Sequence, residues 1–395
     1  MTWEPGSPDS ALDAFRVTLR RYALDELAPD YARWQDEPFP RQGLVALGEL
    51  GVFGLLAPPE FGGTLGAGGG YLPLGVAVEE VARGDFNVGY FLQLQAIGIR
   101  LLLQSDVPDV RDRWVPALVS GEALASFALT EPGVGSDAAA IATRAVRDGS
   151  DWIISGEKSS ITFAGNADVC TVFARTGPKG GSGKGPETAA GGISQFCVPL
   201  DRPGVTRQPV ASSTSHLTER GSLFFDEVRI PADHLIGAEG GGFRSAMAAF
   251  DFNRALIALA CIGAAQQSLD ETMEHTRTRH TFGEPLARRQ GVSFQIAEHL
   301  AQVHSARLVA YETLRLADEG QKHATEAAMA KWLGPKSSAE AIHACMVLHG
   351  WSGFNLELPL SQRLNDVIGL QVGDGTPEIM KAIIAREAIG VVSHR

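Results

Sequence analysis

Hydrophobic periodicity changes twice along the 395-residue chain, and this change constrains the fold more than any other feature. Up to about Gly121 the apolar residues recur at helical spacing, as in Leu44, Leu47 and Leu50. Short apolar runs between Gly, Pro and Asp turns follow, and long helical stretches return from Gly242. The pattern predicts an α+β, mainly α fold in which a small β-barrel or sheet lies between two helical bundles.

The two changes place the expected domain boundaries, with an N-terminal helical domain at 1–122, a middle β domain at 123–237 and a C-terminal four-helix bundle at 238–395. Strands are predicted at 152–154, 169–173, 196–198 and 223–230. Helices are predicted at 247–277, 292–318, 324–349 and 377–392. Strands and helices do not alternate, which disfavours a doubly wound nucleotide-binding fold.

Charge and cysteine content limit the partners of the chain. The formal net charge of −12 disfavours nucleic-acid binding, which needs clustered Lys and Arg. The four cysteines are scattered and form no CxxC pair, which is typical of a reduced compartment and argues against a disulfide framework or a thiolate metal site. The longest apolar run, 255–265, is shorter than the roughly 20 residues that span a membrane, and the acidic N-terminus has no apolar signal-type stretch. We expect a cytoplasmic protein that binds neither membrane nor metal.

The densest chemical signal is the segment 127–137, which reads FALTEPGVGSD. Its small residues let backbone amides approach a ligand closely, and Thr130 and Ser136 supply hydroxyls for a polar ring edge or a phosphate. Taken alone, the segment is equally consistent with a strand that ends in a Pro-Gly turn.

The ten residues ALTEPGVGSD resemble the first signature of the acyl-CoA dehydrogenase family. Five further segments also resemble the family. One, APPEFGG at 57–63, precedes this signature. The others come after it: GEKSSIT at 156–162, FDEVRIP at 225–231, RHTFGEP at 279–285, and GDGT at 373–376 leading into IARE at 384–387. The resemblance implies FAD bound noncovalently between helical, β and helical domains. It also implies a homodimer or homotetramer, because a neighbouring subunit completes each FAD site in the family.

The resemblance also implies roles for individual residues. The flavin ring and its surroundings should be contacted by Phe127, Leu129, Thr130, Gly135, Ser136, Ile161, Thr162, Thr376 and Glu378. The pyrophosphate of the neighbouring subunit's FAD should be contacted by Arg279, Thr281 and Phe282, where a planar guanidinium suits phosphate oxygens. The substrate should be contacted by Ser136, Asp251, Arg254 and Gly375. As alternatives, Arg279 is an exposed cation at a helix end, and Asp251 and Arg254 cap and pair at a helix start.

The catalytic base is expected at Asp374. In the family an acid in a Glu-Gly-Thr motif abstracts the α proton of the thioester, and here the motif reads Asp374-Gly375-Thr376. An α proton beside a thioester is weakly acidic, so the reaction needs a positioned carboxylate, whose pKa burial should raise. Asn253 stands where some relatives place the base and cannot act as one. The alternative role of Asp374 is the N-cap of a helix that begins at Pro377.

Two departures from the family pattern bear on the substrate. Asp374 is one methylene shorter than the usual Glu, and near-attack geometry tolerates little displacement. Ser160 stands where many relatives place an aromatic residue against the flavin, and Phe163 replaces an expected Asn. The set is similar to bacterial branches that act on cyclic or branched acyl thioesters, including cyclohexane-carboxyl-CoA dehydrogenases.

The predicted function is therefore FAD-dependent α,β-dehydrogenation of an acyl-CoA, with an electron-transferring flavoprotein as acceptor. Three alternatives stay open at this point. One is a flavin oxidase of the same fold, since nitroalkane oxidases resemble this family and also use an Asp base. Another is the same chemistry on an acyl-carrier-protein thioester. The third, a non-enzymatic DNA-binding flavoprotein, is disfavoured by the net charge of −12.

Overall fold

The computed structural model describes residues 10–35, 41–177, 191–214 and 216–390. The N-terminal helices are α1 (Ser10–Tyr22), α2 (Arg41–Glu49), α3 (Tyr71–Gly84), α4 (Phe86–Leu102) and α5 (Pro108–Val119). Helix α4 begins where the Asp85 carboxylate accepts hydrogen bonds from the backbone N–H groups of Asn87 and Val88, at 2.8 and 3.2 Å. It is buried on nearly every face, so it forms the centre of the N-terminal region.

A mixed sheet follows in the chain. Its strands are β1 (Ala125–Ala128), β2 (Arg144–Asp148), β3 (Asp151–Ile161), β4 (Val169–Arg175), β5 (Ile193–Pro199), β6 (Val205–Pro209), β7 (Gly221–Pro231) and β8 (Leu235–Ile236). Their order is β6-β7-β3-β2-β4-β5-β8, and β1 pairs with β4 in parallel. All four predicted strands are confirmed, within β3, β4, β5 and β7.

The C-terminal helices are α6 (Gly242–Thr278), α7 (Gln290–Asp318), α8 (Ala324–Leu348), α9 (Leu360–Gly369) and α10 (Pro377–Ile389). A small hairpin, β9 (His280–Thr281) and β10 (Glu284–Pro285), separates α6 from α7. The four predicted helices are confirmed, although α6 begins five residues earlier than the predicted 247. The predicted end of the last helix, 391–392, lies outside the described residues.

Helix α6 is the central element of this bundle. It has 37 residues and is long and apolar enough to cross a membrane by length and composition, yet 78% of its apolar window is buried inside the fold. Its partner α8 approaches closely, because a Cβ added to Gly334 would lie 2.5 Å from the Ala258 Cβ. The same hydrophobic core extends through both helical regions and the sheet, so packing marks no boundary at 122 or 237. The fold class predicted from periodicity is confirmed, and the domain boundaries stay predictions.

A buried charge network joins the N-terminal region to the C-terminal bundle. Glu79 on α3 accepts hydrogen bonds from Arg307 Nε at 2.8 Å and from the Tyr311 hydroxyl at 2.6 Å, both on α7. Arg16 on α1 lies 3.8 Å from the same carboxylate and donates to Glu80 at 2.8 Å. Because these charged groups are almost fully buried, each relies on its partners to offset the free energy that it loses on leaving water.

We expect Glu79→Leu to lower the free energy of unfolding by about 3–5 kcal/mol, since it leaves a buried guanidinium without its partner. Urea denaturation followed by circular dichroism measures the effect. Glu312→Leu is the matched control, because Glu312 forms an exposed pair with Arg315 on the same helix as Arg307. Equal losses for the two variants would contradict the role given to the buried network.

Candidate functional site

The turn between α9 and α10 carries the expected base. Asp374 has a left-handed backbone with φ of +51°, and Gly375 follows with φ of +111°. Asp tolerates this region better than most residues, and such conformations concentrate at functional sites. A Cβ on Gly375 would meet only the flexible end of Met380, so the φ of +111° is what disfavours any residue with a side chain at this position.

The alternative role of Asp374 as a helix cap is wrong. Thr376 is the N-cap of α10, and its hydroxyl accepts a hydrogen bond from the backbone N–H of Ile379 at 3.4 Å. Pro377 is the first helical residue, as the sequence suggested. Asp374 lies two residues before the cap, so its carboxylate is available for other interactions.

Helix α6 contributes the groups that contact Asp374. The Asn253 Nδ2 donates a hydrogen bond to Asp374 Oδ2 at 2.6 Å, and the Arg254 Nε donates to the Asp374 carbonyl oxygen at 3.3 Å. Oδ1 of Asp374 has no hydrogen-bond partner among the described residues. Burial raises the pKa of the Asp374 carboxyl, while the Asn253 hydrogen bond and the positive charges of Arg254 and Lys331 oppose that rise. The result is a carboxylate with increased basicity and one oxygen free to accept a proton.

Asp251 and Arg254 form the ion pair that one alternative assumed, with Nη1 and Oδ1 separated by 3.0 Å. They do not lie at a helix start, however, because α6 begins at Gly242. Their position in the helix interior excludes a capping role. Burial lowers the pKa of Arg254, and burial also raises the pKa of Asp251. The pair therefore presents a largely desolvated guanidinium next to the turn that holds Asp374.

Sequence reasoning missed Lys331, which lies two turns into α8 and is 1% exposed. Its Nζ donates hydrogen bonds to the carbonyl oxygens of Gln371 at 3.2 Å and Gly375 at 3.3 Å. Burial lowers the pKa of Lys331 to about 8, against the opposing charge of Asp374. The only available signal was a single lysine within the apolar stretch 327–334, and nothing in the sequence connects it with the turn.

The 127–137 segment forms both a strand and a turn, so the two interpretations of it are compatible. Phe127 lies in β1, and its ring contacts Phe250 of α6 with centroids 5.4 Å apart. Phe250 precedes Asn253 by three residues, so a single stretch of α6 contacts both the 127–137 segment and the Asp374 turn. Helix α6 thus brings together the two regions to which the resemblance assigns flavin and base.

A buried ion pair anchors the turn that follows β1. Lys158 of β3 donates hydrogen bonds from Nζ to the Leu129 carbonyl at 3.0 Å and to Glu131 Oε1 at 2.8 Å. The Glu131 carboxylate also accepts from the backbone N–H groups of Ala142 at 2.6 Å and Thr143 at 2.9 Å. Burial lowers the pKa of Lys158 to about 8, although the charge of Glu131 opposes this shift. The pair fixes the backbone path from Leu129 to Glu131 against the sheet.

The donors around this turn fit a flavin. The hydroxyls of Thr130, Ser136 and Thr162 make no hydrogen bond within the part of the chain that the structure describes, so they are available to a ligand. A Cβ on Gly133 or Gly135 would meet no atom within 4 Å, which leaves the outer side of the turn open. Hydroxyl donors and open backbone suit the polar edge and phosphates of FAD.

The residues expected to line the flavin differ in their exposure. Ile161 and Leu129 are buried, with Ile161 at the end of β3. Phe163 is fully buried and stacks on Phe91 of α4, with centroids 4.4 Å apart, so this replacement extends the core between sheet and helix. Ser160 is exposed and has a left-handed backbone with φ of +56°.

The residues expected at the pyrophosphate lie apart from this region, at and after the end of α6. The Arg279 side chain is exposed and makes no hydrogen bond or ion pair among the described residues. Thr281 is half-buried in β9, and Phe282 is 96% exposed with φ of +52°. Glu378 is also exposed, in a loose pair with Lys381 at 3.9 Å. Arg279 is therefore exposed just after the end of α6, as its alternative interpretation as a cation at a helix end assumed.

Comparison with known proteins gives agreement along nearly the whole chain. Sequence models of the acyl-CoA dehydrogenase N-terminal, middle and C-terminal domains match residues 9–122, 126–228 and 240–389. The mitochondrial short-chain specific acyl-CoA dehydrogenase of Bos taurus is 34% identical over 94% of this chain and 88% of its own length. Cyclohexane-1-carbonyl-CoA dehydrogenase of Geobacter metallireducens is 33% identical over 94% of this chain and 96% of its own length. The structure of a glutaryl-CoA dehydrogenase from Mycobacterium smegmatis in complex with FADH2 is similar, with a TM-score of 0.89, 28% identity and coverage of 98% of this chain and 96% of that one.

We expect Glu131→Gln to weaken FAD binding about tenfold or more, because it removes a buried charge-assisted hydrogen bond worth about 1.5–3 kcal/mol. Titration of the apoprotein with FAD, followed by flavin fluorescence, measures the dissociation constant. Asp226→Asn is the control, since Asp226 is an exposed carboxylate in the same sheet. Unchanged affinity in the Glu131 variant would show that the ion pair does not position the turn to which the resemblance assigns the flavin.

Proposed function

The chain belongs to the acyl-CoA dehydrogenase family, and we propose that Asp374 is the base that removes the α proton of its acyl-CoA substrate. The protein is an FAD-dependent acyl-CoA dehydrogenase. When bound, FAD supplies the acceptor for the two electrons that the substrate loses as hydride from the β carbon. All further chemistry depends on how the protein holds the substrate and moves the proton.

One observation carries the assignment of the base. The carboxyl of Asp374 has a raised pKa, accepts a hydrogen bond from Asn253, and has an Oδ1 without a partner among the described residues. Asn253, at the alternative position for a base, donates its amide hydrogen to Asp374 and so supports the ionised carboxylate. A general base needs this combination of geometry and basicity.

The substrate contacts follow from the same turn. Because Gly375 has no side chain, the thioester carbonyl can approach the backbone beside Asp374. Arg254 lies beside the same turn, where its desolvated guanidinium orients polar groups at the thioester end of the substrate. Ser136 and Asp251 complete the proposed contacts with the substrate. Deprotonation leaves negative charge on the thioester as an enolate, and the positive groups around the turn stabilise that charge.

The cofactor contacts are proposed from the resemblance and from the available donors. Thr130 and Thr162 hydrogen-bond the polar edge of the flavin, and Arg279 binds the pyrophosphate of a neighbouring subunit's FAD. The exposed Arg279, whose side chain makes no hydrogen bond or ion pair among the described residues, and the 96% exposed Phe282 support this arrangement. A homo-oligomer, dimer or tetramer, would also cover the apolar surface at Trp351 and Leu356, which are 85% and 78% exposed.

We further propose an electron-transferring flavoprotein as the electron acceptor and the cytoplasm as the location. The four cysteines are all free and buried, which supports a reducing compartment. The electron acceptor is tested by mixing the anaerobically reduced enzyme with air, because a flavin oxidase would form peroxide within its turnover time. Comparison of free CoA thioesters with carrier-protein thioesters tests the remaining alternative.

Asp374→Asn should retain FAD and lose substrate-dependent bleaching of the flavin by a factor of about 10³ or more, because the amide cannot accept the α proton. Anaerobic stopped-flow absorbance measures bleaching. For the wild type, kcat/KM should fall as the pH drops through the raised pKa of Asp374, since only the ionised carboxylate is active. Asp374→Glu, which keeps the carboxylate, is the matched variant and should retain measurable activity. Full bleaching by the Asn variant would refute the assignment.

The acyl group is proposed to be short and branched or cyclic, because the shortened base and the altered residues at Ser160 and Phe163 depart from the common pattern. A panel of straight, branched and alicyclic CoA thioesters should give the highest kcat/KM with a branched or alicyclic member, by about tenfold or more, a difference within the range of shape discrimination in an apolar pocket. Steady-state assays with an artificial acceptor measure the series. Highest activity with butyryl-CoA would overturn this substrate class without affecting the base.

A further inference from the structure

We infer that Lys331 is a positioning residue for proton abstraction: its ammonium group holds the turn that carries Asp374 and supplies positive charge beside the carboxylate. The inference rests on the proposed role of Asp374 as the base. Lys331 acts through Asp374 and is assigned no contact with substrate or flavin.

The geometry connects Lys331 with the turn on both sides of the base. Its Nζ donates to the carbonyl oxygen of Gln371, three residues before Asp374, and to that of Gly375, one residue after it. The distances are 3.2 and 3.3 Å. Because both acceptors are backbone atoms, the lysine fixes the path of the main chain, which includes the left-handed residues Asp374 and Gly375.

The burial of Lys331 is costly for a purely structural group. The side chain is 1% exposed and forms no ion pair within 4.0 Å of a carboxylate among the described residues. By contrast, the buried Lys158 has an ion-pair partner, Glu131, at 2.8 Å. An apolar residue of similar size would fill the Lys331 position without the loss of hydration. A buried ammonium that lies next to the proposed base without a carboxylate partner therefore indicates a use for its charge.

The charged and titratable groups that face Lys331 come from two elements. Asp374 in the α9–α10 turn favours the protonated amine, while Arg254 of α6 disfavours it. The Cys261 thiol of α6 lies nearby, and burial raises its pKa to about 12, so it stays neutral at physiological pH. Burial brings the pKa of Lys331 to about 8. Lys331 is consequently charged at neutral pH and loses its charge slightly above it.

This charge has two consequences for the dependence of kcat/KM on pH. Below about pH 8 the ammonium favours the ionised form of Asp374 and shifts the acidic limb of the profile to lower pH. Above that pH the neutral amine is a weaker donor to the turn, which gives an alkaline limb near pH 8. The two limbs belong to two different residues, so substitution can separate them.

The test compares Lys331→Met and Lys331→Arg with Lys336→Met as control. Lys336 lies on the same helix, where it pairs with Glu340 at 2.9 Å and is 52% exposed. For each FAD-loaded variant we would measure FAD content, the thermal unfolding midpoint, and kcat/KM from pH 5 to pH 10 with the CoA thioester that the wild type turns over fastest.

Lys331→Met should shift the acidic limb of the kcat/KM profile to higher pH by about one unit, the size expected when one nearby charge is lost in a protein interior. It should also lower kcat about tenfold and leave FAD content and the unfolding midpoint close to the wild type. Lys331→Arg should keep the acidic limb and lose the alkaline limb, because arginine stays charged over this range. Lys336→Met should change neither limb.

An unchanged acidic limb in a folded Lys331→Met enzyme would overturn the inference. If that variant does not fold, the Arg variant decides alone, since persistence of the alkaline limb would refute the role of Lys331. Asp374→Asn measured in parallel separates the two proposals. Activity in that variant contradicts Asp374 as the base, whereas an inactive Asp374→Asn enzyme with an unmoved Lys331→Met profile contradicts only the role of Lys331.

Discussion

The close packing of α6 against α8 is the contact on which the rest of the site depends. Gly334 of α8 lies against Ala258 of α6 with no space for a side chain between the two backbones. Lys331 precedes Gly334 by three residues and Arg254 precedes Ala258 by four, so both side chains lie on the faces that meet. This approach brings the ammonium and the guanidinium to the same turn, where both donate to backbone carbonyls around Asp374.

Buried charges in this protein serve two different purposes. Glu79 with Arg307, and Glu131 with Lys158, are paired charges that join separate parts of the chain. Such pairs specify geometry at a desolvation cost that their mutual attraction offsets. Lys331 has no paired carboxylate among the described residues, and its charge instead faces Asp374, the proposed base. The distinction follows from chemistry, because a base locked in a tight ion pair would be too weakly basic to abstract an α proton.

Asp374 and Asn253 illustrate how a site can hold a shorter carboxylate at the position proposed for the base. The carboxylate is one methylene shorter than the family's usual Glu, and its Oδ2 accepts a hydrogen bond at 2.6 Å from the Asn253 Nδ2 of α6. The left-handed turn then determines where the free oxygen lies. The backbone of the turn and the neighbouring helix together set the position of the Asp374 carboxylate. A longer Glu side chain would reach that position from a more distant backbone.

The sequence by itself determined the order of helical and β regions, the long helices and the ordered family motifs, because periodicity and motif spacing are local properties of the chain. It also identified Asp374 as the candidate base. It offered Asp374 as an alternative N-cap where the cap is Thr376, offered a helix start as an alternative for Asp251 and Arg254 although their helix begins at Gly242, and gave no indication of Lys331. Only the tertiary structure decided these points, since the contacts of Lys331 and Asn253 with the turn join residues 40 to 121 positions apart. Long-range packing selects which of the many polar side chains meet, and no local pattern records that selection.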